Sequence, residues 1–385
     1  MKKRFAAIGA TLAAVTLVAQ PALAADPKLP ETLAWSAYDV GSGGYNQAVA
    51  IGAALKNKYG TNLRIIPGKN DVSRLLPLKT HRLDFVANGV GSYMAQEGMY
   101  EFGGKEWGPT PVRLLMTNIS DQTLAMIVAA DTGVKTVADI KGKRVAWVIG
   151  APALNQNLTA ILAFAGLTWN DVQKVEFGGY GASLDAIVAN QVDAGFSVSV
   201  SGKAYALEKS PRGLVYPTMP ASDAEGWKRV QAVAPYMVPV TAAQGAGLSK
   251  DKPVESAAYP YPILHTLDDR KADDVHAMMQ AMVETFPMYK DAAPGNVGWA
   301  LENQNLSWVA PYHEGAIKYY KEKGMWTDAH QKHNDALIKR QEVLAKAWKS
   351  VLSQNLDEKA HMLAWQKARA SALREAGMAV VLEDW

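Results

Sequence analysis

Arg74 is the side chain best equipped to hold a small anion. It follows Asn70 and Ser73 where a turn passes into a helical pattern, and a planar guanidinium can clamp a carboxylate through two parallel hydrogen bonds. Upstream, Gly41-Ser-Gly-Gly-Tyr45 joins a strand-like segment to an amphipathic one. At such a turn the N–H groups of Gly43 and Gly44 stay unpaired at the positive end of a helix dipole and make a seat for an anion. Tyr45, in the first helical turn, can turn its ring and hydroxyl to the same point. Asn88 and Ser92 follow a third strand-like segment, Asn155 and Asn157 lie in a later strand-to-helix turn, and Tyr180, Phe196 and Ser197 complete the set, with Trp35 as an aromatic wall. The chemistry this implies is capture of an organic anion. Each group also has a plainer use: an ion pair for Arg74, capping for Asn70, Asn155 or Asn157, an Asx-turn for Asn88, core packing for Phe196 and Trp35.

These residues need elements that bring them to one edge. Thr32 to Tyr38 reads as a strand and Tyr45 to Tyr59 as a helix with Ala48, Ile51, Gly52, Leu55 and Tyr59 on one stripe and Gly60 as its stop. Asn62 to Ile66 and Leu83 to Ala87 read as further strands, and Asn70 or Asp71 can cap a helix beginning near Val72. The pattern then recurs: strands at Leu124–Ala129, Val145–Ile149, Lys174–Phe177 and Ala194–Val198, a short helix from Val137, a helix ending at Ala165, another from Ser183 to Ala189. Alternating strands and helices imply an α/β fold with parallel, covered sheets, and ligands in such folds sit beyond the carboxyl ends of the strands. Two similar units in sequence imply two lobes with a cleft between them. From about Asp268 the chain reads as mostly helical, and Asp328 to Ala376 as one or two amphipathic helices.

Met1-Lys-Lys-Arg4, an apolar run from Phe5 to Ala19 and the small-x-small pattern at Ala22-Leu-Ala24 read as an export signal cleaved near Ala24/Ala25, which points to the periplasm. Residues 1–24 hold three basic residues and no acid, so the remainder balances 37 basic against 37 acidic residues. That neutrality argues against nucleic acid as a partner. There is no cysteine, which excludes disulfides and thiolate chemistry. About 360 residues after the signal exceed what one core usually supports. The expected layout is residues 1–24 as signal, 25–123 plus 257–325 as a first lobe, 124–256 as a second, and 326–385 as a helical extension. Hinges are expected near Asn118 to Met126 and Ala257 to Leu264.

Enzymatic signatures are weak. Gly181-Ala-Ser183-Leu-Asp185 lacks the second glycine of a nucleophile elbow, and Gly179-x-Gly181 is not followed by the third glycine of a dinucleotide fingerprint. His330 and His333, with Asp328 and Asp335 nearby, share a helix face but lack the H-E-x-x-H order of a metalloprotease. The sequence calls for no catalytic residue, no metal and no cofactor.

Several segments in order resemble a known family. Gly41-Ser-Gly-Gly-Tyr45, Leu83-Asp-Phe-Val-Ala-Asn88, Val134-Lys-Thr-Val-Ala-Asp-Ile-Lys-Gly-Lys-Arg-Val145, Leu162-Ala-Phe-Ala-Gly-Leu-Thr-Trp-Asn-Asp-Val172, Asn190-Gln-Val-Asp-Ala-Gly-Phe-Ser-Val-Ser199 and Pro311-Tyr-His-Glu-Gly-Ala-Ile-Lys-Tyr-Tyr-Lys-Glu-Lys-Gly324 resemble TAXI-type solute-binding proteins of TRAP (tripartite ATP-independent periplasmic) transporters. The resemblance covers about residues 30 to 325. It implies a two-lobed, type II-like periplasmic binding protein of the Venus-flytrap kind, here with a C-terminal helical extension. It also implies delivery of an organic anion to an ion-gradient-driven permease. Three features differ from the family pattern. The second-lobe turn is Ala151 to Asn157 rather than rich in glycine, serine and threonine, Arg74 stands where a neutral amide is frequent, and the tail beyond Met325 is longer. The first two weigh against glutamate or a related dicarboxylate and hint at a larger or more apolar body. Two other readings remain from sequence: the same fold serving an ATP-driven (ABC) importer, as thiamine-precursor or sulfonate binders do, and a periplasmic hydrolase or isomerase.

Overall fold

The structure, a computed structural model, describes residues 26–383 and 385. The expected signal at residues 1–24 lies outside the described residues. The first unit is built from β1 (Thr32–Tyr38), α1 (Gly43–Tyr59), β2 (Asn62–Gly68), α2 (Asp71–Lys79), β3 (Phe85–Asn88), α3 (Gly91–Glu97) and β4 (Val112–Thr117). The second runs β5 (Leu124–Ala129), β6 (Arg144–Val148), α4 (Pro152–Phe164), β7 (Gln173–Phe177), α5 (Tyr180–Val188), β8 (Ala194–Val198), α6 (Gly202–Lys209) and β9 (Leu214–Val215). Then come α7 (Ala224–Val233), an antiparallel ribbon of β10 (Val238–Ala242) and β11 (Val254–Ala258), and β12 (Ile263–Leu267). Four helices close the chain: α8 (Ala272–Tyr289), α9 (Glu314–Glu322), α10 (Asp328–Leu352) and α11 (Glu358–Glu375).

Two five-stranded sheets share one topology. The first has the order β2-β1-β3-β12-β4 and the second β7-β6-β8-β5-β9. In each, three strands run parallel and a fourth enters antiparallel beside the third: β12 beside β3, and β5 beside β8. Those antiparallel strands are the ones that follow a crossing between the lobes. The crossings, 118–123 and 259–262, bond to each other: Tyr261 N–H donates to Asn118 O (2.8 Å), and the Gln122 amide donates to Tyr261 O (2.6 Å). This is the two-lobed, type II binding-protein fold with a C-terminal helical extension. Among the described residues, no helix is long and apolar enough to cross a membrane.

Local chemistry fixes the helix starts that face the cleft. Ser42 caps α1 by accepting the Tyr45 N–H, and Gly60, in the left-handed region (φ 73°), ends it. The helix begins at Gly43, two residues earlier than the side-chain pattern suggests, because glycine has no apolar side chain to register in the stripe. Asn70 and Ser73 form a reciprocal capping box on α2, which leaves Asp71 free for another partner. The short helix expected from Val137 is a single 3-10 turn, Val137–Ile140.

One hydrophobic core runs through both lobes, and a smaller one (Leu344, Trp348, Val351, Trp365, Leu373) lies inside the α10–α11 hairpin. That hairpin is held to the first lobe by a buried charge cluster. Glu97, at the end of α3, accepts from Arg340 Nε (2.6 Å) and Nη2 (2.7 Å) and from Arg369 Nη2 (2.6 Å). Burial alone would raise the Glu97 carboxyl, but the hydrogen bonds and charges of the two arginines outweigh it and hold it below the usual carboxylate range.

Candidate functional site: a tyrosine-walled cavity between the lobes

The carboxyl ends of β1, β3 and β8 and the first turns of α2, α4 and α5 converge on one cavity, as the sheet topology requires. Its empty space is about 370 Å³ when the open mouth is counted, and in this closed arrangement the enclosed part is nearly filled by the side chains that line it. The first lobe contributes Tyr38, Arg74, Gly89 and Val90; the second contributes Ala153, Leu154, Tyr180, Phe196, Ser197 and Val198; Leu124, Tyr259 and Tyr261 come from or beside the crossings. The lobes are clasped around it. Tyr180 N–H donates to Lys69 O (2.9 Å), Gly181 N–H to Asp39 Oδ2 (3.0 Å), Gly202 N–H to Gly41 O (3.0 Å) and Val72 N–H to Gly150 O (3.2 Å).

Arg74 is the polar centre. It is 1% exposed, and a Cβ on Gly68 would collide with its Cγ, so the close turn at the end of β2 needs glycine. Its guanidinium carbon lies 3.6 Å from the centroid of the Tyr38 ring. Nη2 donates to Asp71 Oδ1, whereas Nε and Nη1 have no hydrogen-bond partner among the described residues. Buried guanidinium nitrogens without partners are uncommon and call for an acceptor, whether a water or a guest. The Tyr38 hydroxyl and Asn88 Nδ2 are likewise unpartnered among the described residues.

The remaining tyrosines are fixed by their own partners. The Tyr180 hydroxyl bonds Ser197 Oγ (2.9 Å) and Ser201 Oγ (3.1 Å), and its ring meets Tyr38 edge-on at 4.8 Å. Asn157 Nδ2 donates to the Tyr259 hydroxyl (2.9 Å), while Asn157 Oδ1 accepts from Tyr236 (3.0 Å). The Tyr261 hydroxyl lies against the backbone of Gly44, where an added Cβ would come within 3.1 Å of it. Burial pushes the phenols of Tyr38, Tyr180, Tyr259 and Tyr261 up, so all four remain protonated at neutral pH.

Of the residues singled out from sequence, the structure brings Arg74, Tyr180, Phe196 and Ser197 to the cavity wall. Asn88 sits directly behind it, with Oδ1 accepting the Gly89 N–H (2.7 Å). Asn157 reaches it only through Tyr259. Others have different work. Gly43 and Gly44 lie at the seam between lobes, where a Cβ would meet Val198 (3.0 Å) and the Tyr261 hydroxyl (3.1 Å) respectively. Tyr45 is half-buried beside them and is not on the wall. Asn70 is engaged twice, by the Ser73 N–H and by Ile149 O (3.1 Å), and Ser73 faces solvent. The Ser92 hydroxyl donates to Gly89 O (2.7 Å). Asn155 closes both its groups on the backbone of Val148 (3.0 and 2.9 Å), so it shapes the turn and offers nothing to a guest. Trp35 packs edge-on against Phe85 inside the first lobe (centroids 6.3 Å apart) and does not reach the cleft.

Sequence reasoning missed Tyr38, Tyr259, Tyr261 and Asp71. The signal was present in Tyr259-Pro-Tyr-Pro262, an aromatic repeat in a segment read only as a hinge. The peptide between Tyr261 and Pro262 is cis. The Ser183 hydroxyl donates to Tyr180 O (2.8 Å) in its own helix. Thr327 caps α10 and His330 Nδ1 accepts the Thr327 N–H in return (3.2 Å), and His333 Nε2 bonds Trp308 O (2.7 Å).

The fold is thus the two-lobed α/β arrangement of periplasmic binding proteins, with a cavity at the strand ends of both sheets. The chain matches the NMT1-like family over residues 40–324 and belongs to that family. Among solved structures it is similar to the alkanesulfonate-binding protein SsuA from Xanthomonas axonopodis pv. citri bound to MOPS (17% identity, 83% of this chain and 96% of that one, TM-score 0.42). It is also similar to the periplasmic aliphatic sulphonate binding protein SsuA from Escherichia coli (13%, 81% and 88%, TM-score 0.40). A third is an ABC transporter/periplasmic binding protein from Brucella ovis with glutathione bound (10%, 66% and 67%, TM-score 0.41). No curated protein matches the chain by sequence.

Proposed function

We propose that the chain is a periplasmic solute receptor that captures a small organic anion between its lobes and delivers it to a membrane transporter, without transforming it. The observation that carries this reading is Arg74: a buried guanidinium with two nitrogens unpartnered among the described residues, beside a cavity to which both lobes contribute. The lobes proposed are residues 25–123 plus 257–325 and 124–256, hinged at the two crossings. Guest contacts from both sides exist only when the lobes are closed, so the guest favours closure.

The partner's type is a finer matter. The family resemblance implies a TRAP permease. The comparisons do not carry that subtype, and an ABC importer fits them at least as well. A neighbouring gene for a large multi-spanning permease favours the first, and one for an ATPase the second.

A thermal-shift screen across carboxylates, sulfonates and aromatic acids tests the receptor reading. A guest at a hundred times its Kd stabilises the fold by about 2.7 kcal/mol. The expected result is one chemical class that raises the Tm and is recovered unchanged. No shift from any class, or turnover of the compound, contradicts the reading.

A further inference from the structure

We infer that Asp71 sets the charge of the guest, so that the cavity takes a planar aromatic acid with a single negative charge and discriminates against dicarboxylates and amino acids. The inference rests on the receptor reading above and narrows it.

Asp71 lies in the first turn of α2 and is fully buried. Oδ1 accepts from Arg74 Nη2, and Oδ2 accepts the Ala153 N–H (2.9 Å) at the start of α4 in the opposite lobe. The packing around it is close: a Cβ on Gly91 would lie 2.8 Å from Oδ1 and 3.1 Å from Asn88 Nδ2. One protein carboxylate therefore already engages two features a guest anion would seek, the arginine charge and the helix N-terminus of the second lobe.

The charge balance follows. Arg74 and Asp71 sum to zero before any guest enters. A singly charged acid adds one buried negative charge, met by Arg74 Nε and Nη1 and by the Tyr38 hydroxyl, which have no partner among the described residues, while the first N–H groups of α5 are already taken by Lys69 O and the Asp39 carboxylate. A dianion adds two, and the cost of burying charge grows steeply with its size. An amino acid also brings an ammonium group, and both oxygens of the buried acid beside the cavity are taken. The walls select the rest of the molecule. Tyr38, Tyr180, Tyr259, Tyr261 and Phe196 line the cavity, and aromatic walls suit a flat apolar body.

Calorimetry on the full chain tests this with benzoate, 4-hydroxybenzoate and nicotinate against terephthalate, glutamate and 2-oxoglutarate, on the wild type and on Asp71→Asn. The substitution keeps the shape and removes the charge. The expected result is that an aromatic monoacid binds the wild type at least about tenfold tighter than any of the three others, and that Asp71→Asn shrinks or reverses the ratio. A dicarboxylate or amino acid as the tightest wild-type guest overturns the inference and leaves the receptor reading standing. Failure of all six to bind overturns it too, and the broader screen then judges the receptor reading separately. An unchanged ratio in a folded Asp71→Asn removes Asp71 as the selector. If that variant does not fold, the wild-type ranking alone decides.

Discussion

Two buried arginine–carboxylate clusters flank the short helix α3, and they are built for different ends. At its carboxyl end Glu97 receives three N–H donors from Arg340 and Arg369. Those arginines also reach backbone carbonyls of the tail: Ala379 for Arg340, Val381 and Leu382 for Arg369. Only Arg369 Nε is left over in that cluster among the described residues. At the amino end, Asp71 serves one nitrogen of Arg74, and the other two have no partner among the described residues, beside a cavity. A nearly saturated cluster fastens one part of a protein to another. An unsaturated one, under an aromatic wall and between two lobes, is where the proposed guest would be held. The contrast between saturation and shortfall, more than the presence of buried charge, separates the fastening cluster from the proposed site.

The largest expected effect breaks the fastening cluster. Glu97→Gln leaves two arginines without their shared carboxylate and is expected to destabilise the fold by about 3–5 kcal/mol, read as a drop in thermal or denaturant midpoint. The pH dependence sharpens the point. Because the folded Glu97 carboxyl is held below its ordinary value of 4.5, its contribution is fully present above that pH and is lost as the solution is acidified through the folded value. In melts between neutral and acid pH, the variant should lack that component.

Arg74→Ala comes next and acts on binding, by about 2 kcal/mol or more for the best-stabilising acid in calorimetry. Arg74→Lys keeps a charge but loses the fork, and should fall between wild type and alanine. If Glu97→Gln weakened binding as much as Arg74→Ala, the division between the clusters would be wrong.

Asn157→Ala releases the hydroxyls of Tyr259 and Tyr236 together. About 1–3 kcal/mol of stability should go with those buried bonds, with a smaller loss of affinity as the tyrosine wall loosens. The smallest effect at neutral pH belongs to His265 on β12. Burial, with the Arg74 charge adding to it, pushes its imidazole down to about 3. The unfolded chain takes up a proton as pH falls below 6.5 while the fold does not, so wild-type stability should decline from there toward pH 3. His265→Met should remove that decline and leave the Tm at pH 8 little changed.

How much of this was legible in the sequence depended on how far apart the partners lie. The strands Thr32–Tyr38, Leu124–Ala129 and Ala194–Val198 were readable because apolar runs between turn residues report local structure. Arg74 was readable as a candidate because the helix after β2 starts at the sheet edge where ligands of such folds bind, and the structure places it on the cavity wall. Its partner was not: Asn70 and Asp71 are equally good caps by type, and only the fold shows that Asn70 takes the cap and Asp71 the arginine. Tyr259 and Tyr261 were invisible as wall residues because they return from a crossing almost two hundred residues after Arg74. Asn155 misled for the opposite reason, since a polar residue in the expected turn satisfies itself on Val148, seven residues back. Glu97, Arg340 and Arg369 carried no local signal, because a triad spanning more than two hundred and forty residues has no spacing to read.

The most direct test is a crystal structure of the protein with its best-stabilising acid. The account predicts the acid group within hydrogen-bond distance of Arg74 Nε and Nη1, with its body between Tyr38, Tyr180 and Tyr261. A guest seated elsewhere, such as the groove of Arg113, Asp268 and Gln341 beside the helical extension, with Arg74 untouched, would contradict it.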